Sequence, residues 1–252
     1  MHTTIAYSQA LDCDGAFASL NAVADPHIKT SGKYVYIGSY NHIIGGIACL
    51  GTVALEARLK SPSLYRVNPY YIAPVQIAIV PTDPVAMQFH PQNPVPLDMN
   101  EGLEAEGIQT DITPLQISIG VFLAPGALSP ITGPIYTLNF EAKVDTVIDG
   151  WAFAEITWPD ALPVGQYNIV GARLIAAGSV LFRFVLVGEA HRPGGIVVQD
   201  ADDPDPRFQR FGGLGVWGSF HSVSLPVSSF FPQRMQRKRH TRATLMWYPG
   251  NT

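Results

Sequence analysis

The chain has 252 residues, of which 47% are hydrophobic and only 14% are charged. The hydrophobic share is ample for a packed core, so the composition excludes an intrinsically disordered chain. The charged share is well below the roughly 25% that is typical of soluble domains. A surface with so few charges indicates extensive contact with other molecules, and we expect an obligate assembly rather than a free monomer.

Charge is distributed unevenly along the chain. Residues 1–205 contain all 20 acidic residues and nine of the 16 Lys and Arg residues, which gives a formal charge of −11. Residues 206–252 contain seven basic residues and no acidic one, which gives +7. A basic cluster of this kind indicates binding of a polyanion, either nucleic-acid phosphates or anionic lipid headgroups, although it can also protect an edge strand from aggregation. The predicted polyanion-binding residues are Arg234, Arg237, Lys238, Arg239 and Arg242.

Short runs of β-branched and aromatic residues, separated by Pro, Gly, Asn and Asp, recur along the whole chain. This pattern is typical of an all-β protein, and roughly 12 to 16 strands would fit. We expect short helices at Gly15–Ala24 and Leu97–Gly107. The clearer predicted strands are, in chain order, Tyr34–Ser39, Thr52–Leu59, Val75–Val80, Leu115–Leu123, Ile135–Val144, Trp151–Thr157, Tyr167–Ile175, Val180–Val187, Gly195–Gln199, Val216–Leu225 and Ala243–Tyr248.

A seven-residue signature occurs twice, as GKYVYIG from Gly32 to Gly38 and as GQYNIVG from Gly165 to Gly171. Glycine is unfavourable inside a strand, so matched glycines suggest bends or bulges at the same places in two copies. A repeat of about half the chain length indicates two copies of a domain rather than a solenoid. We therefore predict an internal duplication.

The segment between Ala124 and Pro134 is rich in Pro and Gly and lies where the repeat places a boundary. We predict a first β-sandwich over residues 1–125, a junction over 126–134 and a second β-sandwich over 135–252 that includes the basic segment. Halves of this size suit tandem jelly rolls. The proline-rich stretch Pro81–Pro96 is expected to be a long loop that contacts a partner.

No spanning helix and no export signal are expected. The apolar stretches Tyr36–Leu55 and Leu174–Val187 contain polar or charged residues and several glycines or an arginine, and the first residues lack a basic region with a long apolar core. Synthesis in the cytoplasm is therefore predicted. Two cysteines, Cys13 and Cys49, are too few for a disulfide framework; a buried free thiol at Cys49 and a single bridge between the two remain alternatives.

No residue pattern indicates an enzyme. The histidines have no metal-site spacing, and the glycines from Gly213 to Gly218 precede a strand-like run rather than the helix that binds a pyrophosphate. Ser219 and His221 lack the surroundings of a nucleophile elbow. We expect no small-molecule substrate and no cofactor other than a structural calcium ion. An acidic loop supplies the carboxylates for that ion, although a solvated loop is the simpler interpretation, at Asp200, Asp202, Asp203 and Asp205.

The duplication, the Pro-rich junction, the low charge and the basic terminal region together resemble the double jelly-roll major capsid proteins of icosahedral viruses and phages. The resemblance is one of architecture, without a diagnostic motif. It implies a structural virion protein that forms pseudo-hexagonal homotrimers, contacts neighbouring capsomers and directs its basic segment inward, toward the genome or an internal membrane. Viral spike and fibre proteins are close alternatives.

The main alternative from another class is a soluble carbohydrate-binding β-sandwich module. Its sugar platform would consist of exposed aromatic side chains. The candidates are Trp151, Trp158, Trp217 and Trp247.

Overall fold

The chain is an all-β protein. A computed structural model describes residues 1–11, 15–50, 55–65, 69–72, 74–76, 88–109, 114–132, 136–142, 150–153, 164–175, 180–185, 191–197, 209–212, 216, 218–222 and 241–249. Within these residues the chain forms mainly antiparallel sheets and one helix of four residues, α1 (Pro62–Tyr65). The all-β prediction is therefore confirmed.

The amino-terminal half contributes twelve strands to the described residues: β1 (Thr3–Leu11), β2 (Ala18–Ser19), β3 (Thr30–Ser31), β4 (Tyr34–Tyr36), β5 (His42–Leu50), β6 (Leu55–Lys60), β7 (Tyr70–Ile72), β8 (Pro74–Gln76), β9 (Gln88–Phe89), β10 (Val95–Pro96), β11 (Gly102–Gln109) and β12 (Leu115–Ala124). The described part of the carboxy-terminal half contributes seven: β13 (Tyr136–Ala142), β14 (Gly165–Ile175), β15 (Val180–Arg183), β16 (Gly194–Val197), β17 (Gln209–Gly212), β18 (Gly218–Ser222) and β19 (Thr241–Pro249).

The amino-terminal half folds into two sheets with nested strand pairing. Sheet A has the order β1-β12-β5-β10, and β8 and β9 also pair with β5. Sheet B has the order β3-β4-β11-β6-β7, and β2 also pairs with β11. The first strand, β1, thus pairs with the last, β12. The next strands, β2 and β4, pair with the second last, β11. Among the middle strands, β5 pairs with β10 and β6 pairs with β7. Such pairing folds the half back on itself and brings its two ends together.

A single apolar core lies between sheets A and B. Side chains at alternate positions point into it because successive residues of a strand face opposite sides. In β11 the inward residues are Leu103 and Ala105, which are fully buried. Tyr7 of β1 crosses the core and donates a hydrogen bond to the Leu103 carbonyl oxygen at 2.7 Å, which joins the two sheets. Burial raises the pKa of Tyr7 well above its ordinary value, so the hydroxyl remains a donor.

The carboxy-terminal half repeats part of this arrangement. Sheet C has the order β13-β19-β14-β17, and β18 also pairs with β14, while β15 and β16 form the separate hairpin of sheet D. The first strand, the last strand and a long middle strand are adjacent in both halves, as β1-β12-β5 and as β13-β19-β14. The register shifts in both sheets, between Phe122 and Leu123 and between Ile169 and Gly171. Strand order and bulges are therefore similar in the two halves.

The signature that suggested the duplication does not mark equivalent positions. Gly32 and Gly38 have φ angles of 57° and 54° and flank the short strand β4 of sheet B. Gly165 and Gly171, in contrast, lie within β14 of sheet C, whose counterpart by strand order is β5. Gly32 is required locally, because the tight turn between β3 and β4 needs a positive φ angle at its first central residue.

Both predicted helices are wrong. In the segment Leu97–Gly107, the residues from Gly102 onward belong to β11. Within Gly15–Ala24 the structure has β2 and an isolated bridge at Ala22. Leu, Ala and Glu favour helices, but in β11 they alternate between the core and the outer face of sheet B, and packing decides the conformation. The expected loop Pro81–Pro96 contains β9 and β10 in its described part, residues 88–96. Residues 81–87 lie outside the described residues.

The predicted junction packs against both halves rather than forming a free linker. Leu128 is buried, and its N–H donates to the Pro91 carbonyl oxygen at 2.8 Å. The Val216 N–H donates to the Ser129 carbonyl oxygen at 3.0 Å, which attaches the carboxy-terminal half to the same segment.

Candidate functional site

In sheet A, β1 and β12 are buried on both faces along part of their length. One face lies on the core, and in β1 the residues that face the other way, such as Thr4 and Ala6, are buried as well. The carboxy-terminal half meets this outer face where Gly194 of the hairpin β15–β16 contacts the His2 side chain. It also binds the edge of β1, where the Thr4 N–H donates to the Arg192 carbonyl oxygen at 2.8 Å. We call this contact the seam, and its polar residues are His2, Thr4, Asp25, Tyr40, Arg183, His191, Arg192 and Gly194.

An ion pair within the seam joins the two halves. The Arg183 guanidinium of β15 pairs with the Asp25 carboxylate, and the two side chains are only 2% and 4% exposed. The guanidinium also lies over the Trp151 ring, 3.8 Å from its centroid, and donates to the Thr4 carbonyl oxygen at 3.4 Å. A pair buried this deeply is screened little by solvent, so removing either partner leaves a costly isolated charge.

The seam also contains a buried histidine. His2 is fully buried, and the Gly194 N–H donates to its Nε2 atom at 3.2 Å. The rings of Phe89 and Phe122 surround it at centroid distances of 6.3 and 6.0 Å. Burial is the main reason why the pKa of His2 falls to about 3, and the nearby His191 lowers it further. The imidazole is therefore neutral at physiological pH.

Three further side chains and a glycine complete the seam. His191 and Tyr40 are 3.3 Å apart between Nδ1 and the hydroxyl oxygen, with their rings edge to face. Arg192 is 3% exposed, and burial together with the charge of Arg183 lowers its pKa. At Gly194 a Cβ atom would overlap the Phe182 carbonyl oxygen and the Arg183 Cα atom, so only glycine fits the hairpin here.

The outer face of sheet B carries the other concentration of charge among the described residues. The Glu106 carboxylate accepts hydrogen bonds from Arg58 at 2.8 Å and from Lys60 at 2.6 Å. Glu104 accepts from Lys33 at 2.6 Å and from the Ser19 hydroxyl. Burial alone would raise the pKa of Glu104, but these donors hold it below its ordinary value.

Aromatic rings lie between these charges on the same face, and cations cover several of them. The Lys29 ammonium is 4.9 Å from the Tyr36 centroid, the Lys33 ammonium is 5.3 Å from the Tyr34 centroid and the Arg58 guanidinium is 3.7 Å from the Phe17 centroid. Tyr34 and Tyr71 are 38% and 47% exposed, so part of the aromatic surface remains accessible. We call these residues together with the charges of sheet B the tyrosine face.

The structure describes one of the five predicted polyanion-binding residues. Arg234, Arg237, Lys238 and Arg239 lie outside the described residues. Arg242 belongs to β19, where its register partners are Glu141 of β13 and Ile175 of β14. The predicted terminal strand is thus present, and it begins within the basic cluster. The strand pairing also places an acidic residue opposite Arg242, which the local sequence could not indicate.

The other predicted sites fall largely outside the described residues. Asp200, Asp202, Asp203 and Asp205 are not described, and a calcium ion there stays a prediction. No cluster of three or more His, Cys, Asp or Glu side chains that could hold a metal occurs in the described ranges. Cys13 is not described, and Cys49 lies in β5.

The predicted tryptophan platform is described only in part. One face of Trp151 is covered by Arg183, while Trp158 and Trp217 lie outside the described residues and Trp247 belongs to β19.

The side-chain hydroxyl of Ser219 donates to Asn168 Oδ1 at 2.5 Å, a contact within the sheet.

The residues of the seam were not predicted from the sequence. Arg183 is the one that left a signal, because a single arginine interrupts the apolar run Leu174–Val187, and an arginine in such a run is often a buried charge with a distant partner. Asp25 and His2 carry no local signal, because their environment comes from the other half of the chain.

Comparison of the chain with protein-family models, with curated proteins and with solved structures found no match. Among the helices of the described residues, none has the length and apolar character needed to cross a membrane.

Proposed function

We propose that the chain is a structural protein whose activity is self-assembly, the major capsid protein of an icosahedral shell built from two tandem jelly rolls. The strand order carries this proposal. In the amino-terminal half, the nested pairing of β1 with β12, β4 with β11, β5 with β10 and β6 with β7 matches the path of a jelly roll. The repeated order of first, last and long middle strand in sheet C supports a second, duplicated copy.

The seam supports a role as a building block. A buried ion pair and backbone hydrogen bonds hold the two halves together, as the contacts of a shell subunit require if they are to repeat. Interfaces between ordinary domains of one chain are more polar than obligate interfaces, and the domains move relative to each other.

Exposed apolar side chains supply the surfaces for assembly. We propose that they are covered in a homotrimer and between neighbouring capsomers of the virion. The large exposed apolar residues in the described part of the chain are Met1, Tyr34, Tyr71, Met99, Phe153, Val164 and Val185.

The native mass of the purified protein tests this proposal. Light scattering over a range of concentrations, with electron microscopy of the same sample, should give a stable trimer or a larger shell-like particle. A monomer at every concentration would contradict the capsid assignment, because it would leave the low charge of the surface without a function.

The basic segment is proposed to bind a polyanion, either the genome or the lipid of an internal membrane. Replacing all five of its predicted binding residues by Gln should leave assembly intact and abolish most binding to DNA and to vesicles with anionic lipids. When binding neutralises n phosphates, the logarithm of the binding constant falls with the logarithm of the salt concentration with a slope of about −0.9 n. The variant should therefore also lose most of its salt dependence. The five residues are Arg234, Arg237, Lys238, Arg239 and Arg242.

Exposed Lys29 provides the control for this experiment. Its replacement by Gln removes a cation from the tyrosine face and should leave the affinity and its salt slope unchanged. Equal binding by the five-residue variant and the original protein, over a full salt series, would show that the basic segment has another role. The choice between DNA and anionic vesicles distinguishes the two polyanions.

A carbohydrate-binding module is the second candidate, and the tyrosine face favours it. Accessible aromatic rings next to hydrogen-bonding charged groups are the elements of a sugar platform. Here the rings are tyrosines of sheet B, whereas the sequence analysis proposed tryptophans. This candidate would be favoured over the capsid if the protein stays monomeric and binds a glycan, and if the double variant Y34A/Y71A loses that binding.

A further inference from the structure

His2 contacts the carboxy-terminal half at Gly194. Its Nε2 atom accepts the Gly194 N–H, and Gly194 is the register partner of Arg183 across the hairpin β15–β16. Arg183 in turn forms the buried ion pair with Asp25. We infer that the seam is an acid-sensitive latch: protonation of His2 releases the hairpin β15–β16 from sheet A while the core between sheets A and B stays folded.

The hydrogen bond from the Gly194 N–H requires an unprotonated Nε2 atom. Protonated Nε2 has no lone pair, so it cannot accept the Gly194 N–H, and two N–H groups would then face each other. The Gly194 carbonyl oxygen, 3.3 Å from Nε2, could accept from the imidazolium, but the Gly194 N–H would lose its acceptor within a buried contact.

Around His2 the Gly194 carbonyl oxygen favours a positive charge, but burial opposes that charge more strongly. The groups packed against the ring are Phe89 of β9 and Phe122 of β12, which are apolar, and Gly194 of β16. The titratable groups that face it are the amino group of Met1 and the side chain of His191, and both oppose a further positive charge. Asp25, the carboxylate of the seam, is already paired with Arg183.

The pH range follows from the direction of the shift. In the closed seam the pKa of His2 is about 3, whereas an imidazole in an opened seam returns to its ordinary value of 6.5. The closed form is therefore fully favoured above pH 6.5 and is weakened as the pH falls toward 3. Each pH unit within this range raises the equilibrium constant for opening by about tenfold.

Amide hydrogen exchange tests the latch. The amides of Thr4, Phe184 and Gly194 donate across the seam or within the hairpin beside it. After correction for intrinsic exchange rates, their protection should fall about 100-fold between about pH 7 and about pH 4.5. Amides in the pairing of β6 with β11 should keep their protection, which distinguishes opening of the seam from unfolding.

Two variants and one direct measurement decide the outcome. In H2Q the pH dependence at the seam should disappear, whereas H27Q, which alters an exposed histidine, should keep it. The imidazole nitrogen shifts of the unaltered protein should show His2 neutral in the closed form at about pH 5, and this result does not depend on how a variant folds. Seam protection that does not change with pH, an equal pH dependence in H2Q, or an imidazolium in the closed form would overturn the inference.

Discussion

Replacing Arg183 by Met should lower the free energy of unfolding by about 3–5 kcal/mol, because it leaves the Asp25 carboxylate buried without its cation. The apolar stem of Met still fills much of the volume over Trp151, so the loss reports on charge rather than on a cavity. Denaturant unfolding near neutral pH, followed by circular dichroism, measures it.

Arg58 provides the matched control. It also pairs with a carboxylate, but its side chain is 23% exposed, and Glu106 keeps Lys60 as a second partner. R58M should therefore cost about 1 kcal/mol or less. A double variant, R183M with D25L, should recover much of the stability lost in R183M, because an apolar pair carries no buried charge. Equal losses in R183M and R58M would contradict the burial of the ion pair.

Replacing Phe122 by Ala should cost about 3–5 kcal/mol of unfolding free energy. Its side chain is 1% exposed and packs edge to face against Phe89, with ring centroids 5.7 Å apart, on the face of sheet A that the carboxy-terminal half covers. The truncation would leave a cavity at the seam.

Phe153 is the corresponding control, because its side chain is 64% exposed. F153A should change the stability by no more than about 0.5 kcal/mol. If F122A were as mild as F153A, the outer face of sheet A would be open to solvent and the two halves would not share a buried contact. Thermal and denaturant unfolding of both variants would settle the comparison.

Local patterns predicted several of the long strands, but they missed β1 and β5, and they did not predict the surfaces between strands. Alternation and turn residues place β12, β14 and β19 close to their observed bounds. These strands are long, and their apolar residues repeat with the period of a sheet, so local preference and tertiary packing agree. The short strands of sheet B were harder, because two or three residues carry little periodicity.

The helix predicted at Leu97–Gly107 shows why local preference fails. Leu103 and Ala105 face the core while Glu104 and Glu106 meet Lys33, Arg58 and Lys60 from neighbouring strands. Those partners are distant in sequence, so the stabilisation they give a strand cannot be deduced from the segment itself. The same reason hides the seam, whose charges come from opposite halves of the chain.

The position of β1 has a consequence for the order of folding. The strand precedes the other described strands in the chain, yet its register partners lie in β12, where Thr3 meets Leu123 and Leu11 meets Leu115. Contacts between such distant segments carry a high loop-closure cost and slow the folding rate. A nascent chain would hold β1 unpaired until the whole amino-terminal half has left the ribosome, which is the interval in which a chaperone or a wrong partner could bind it.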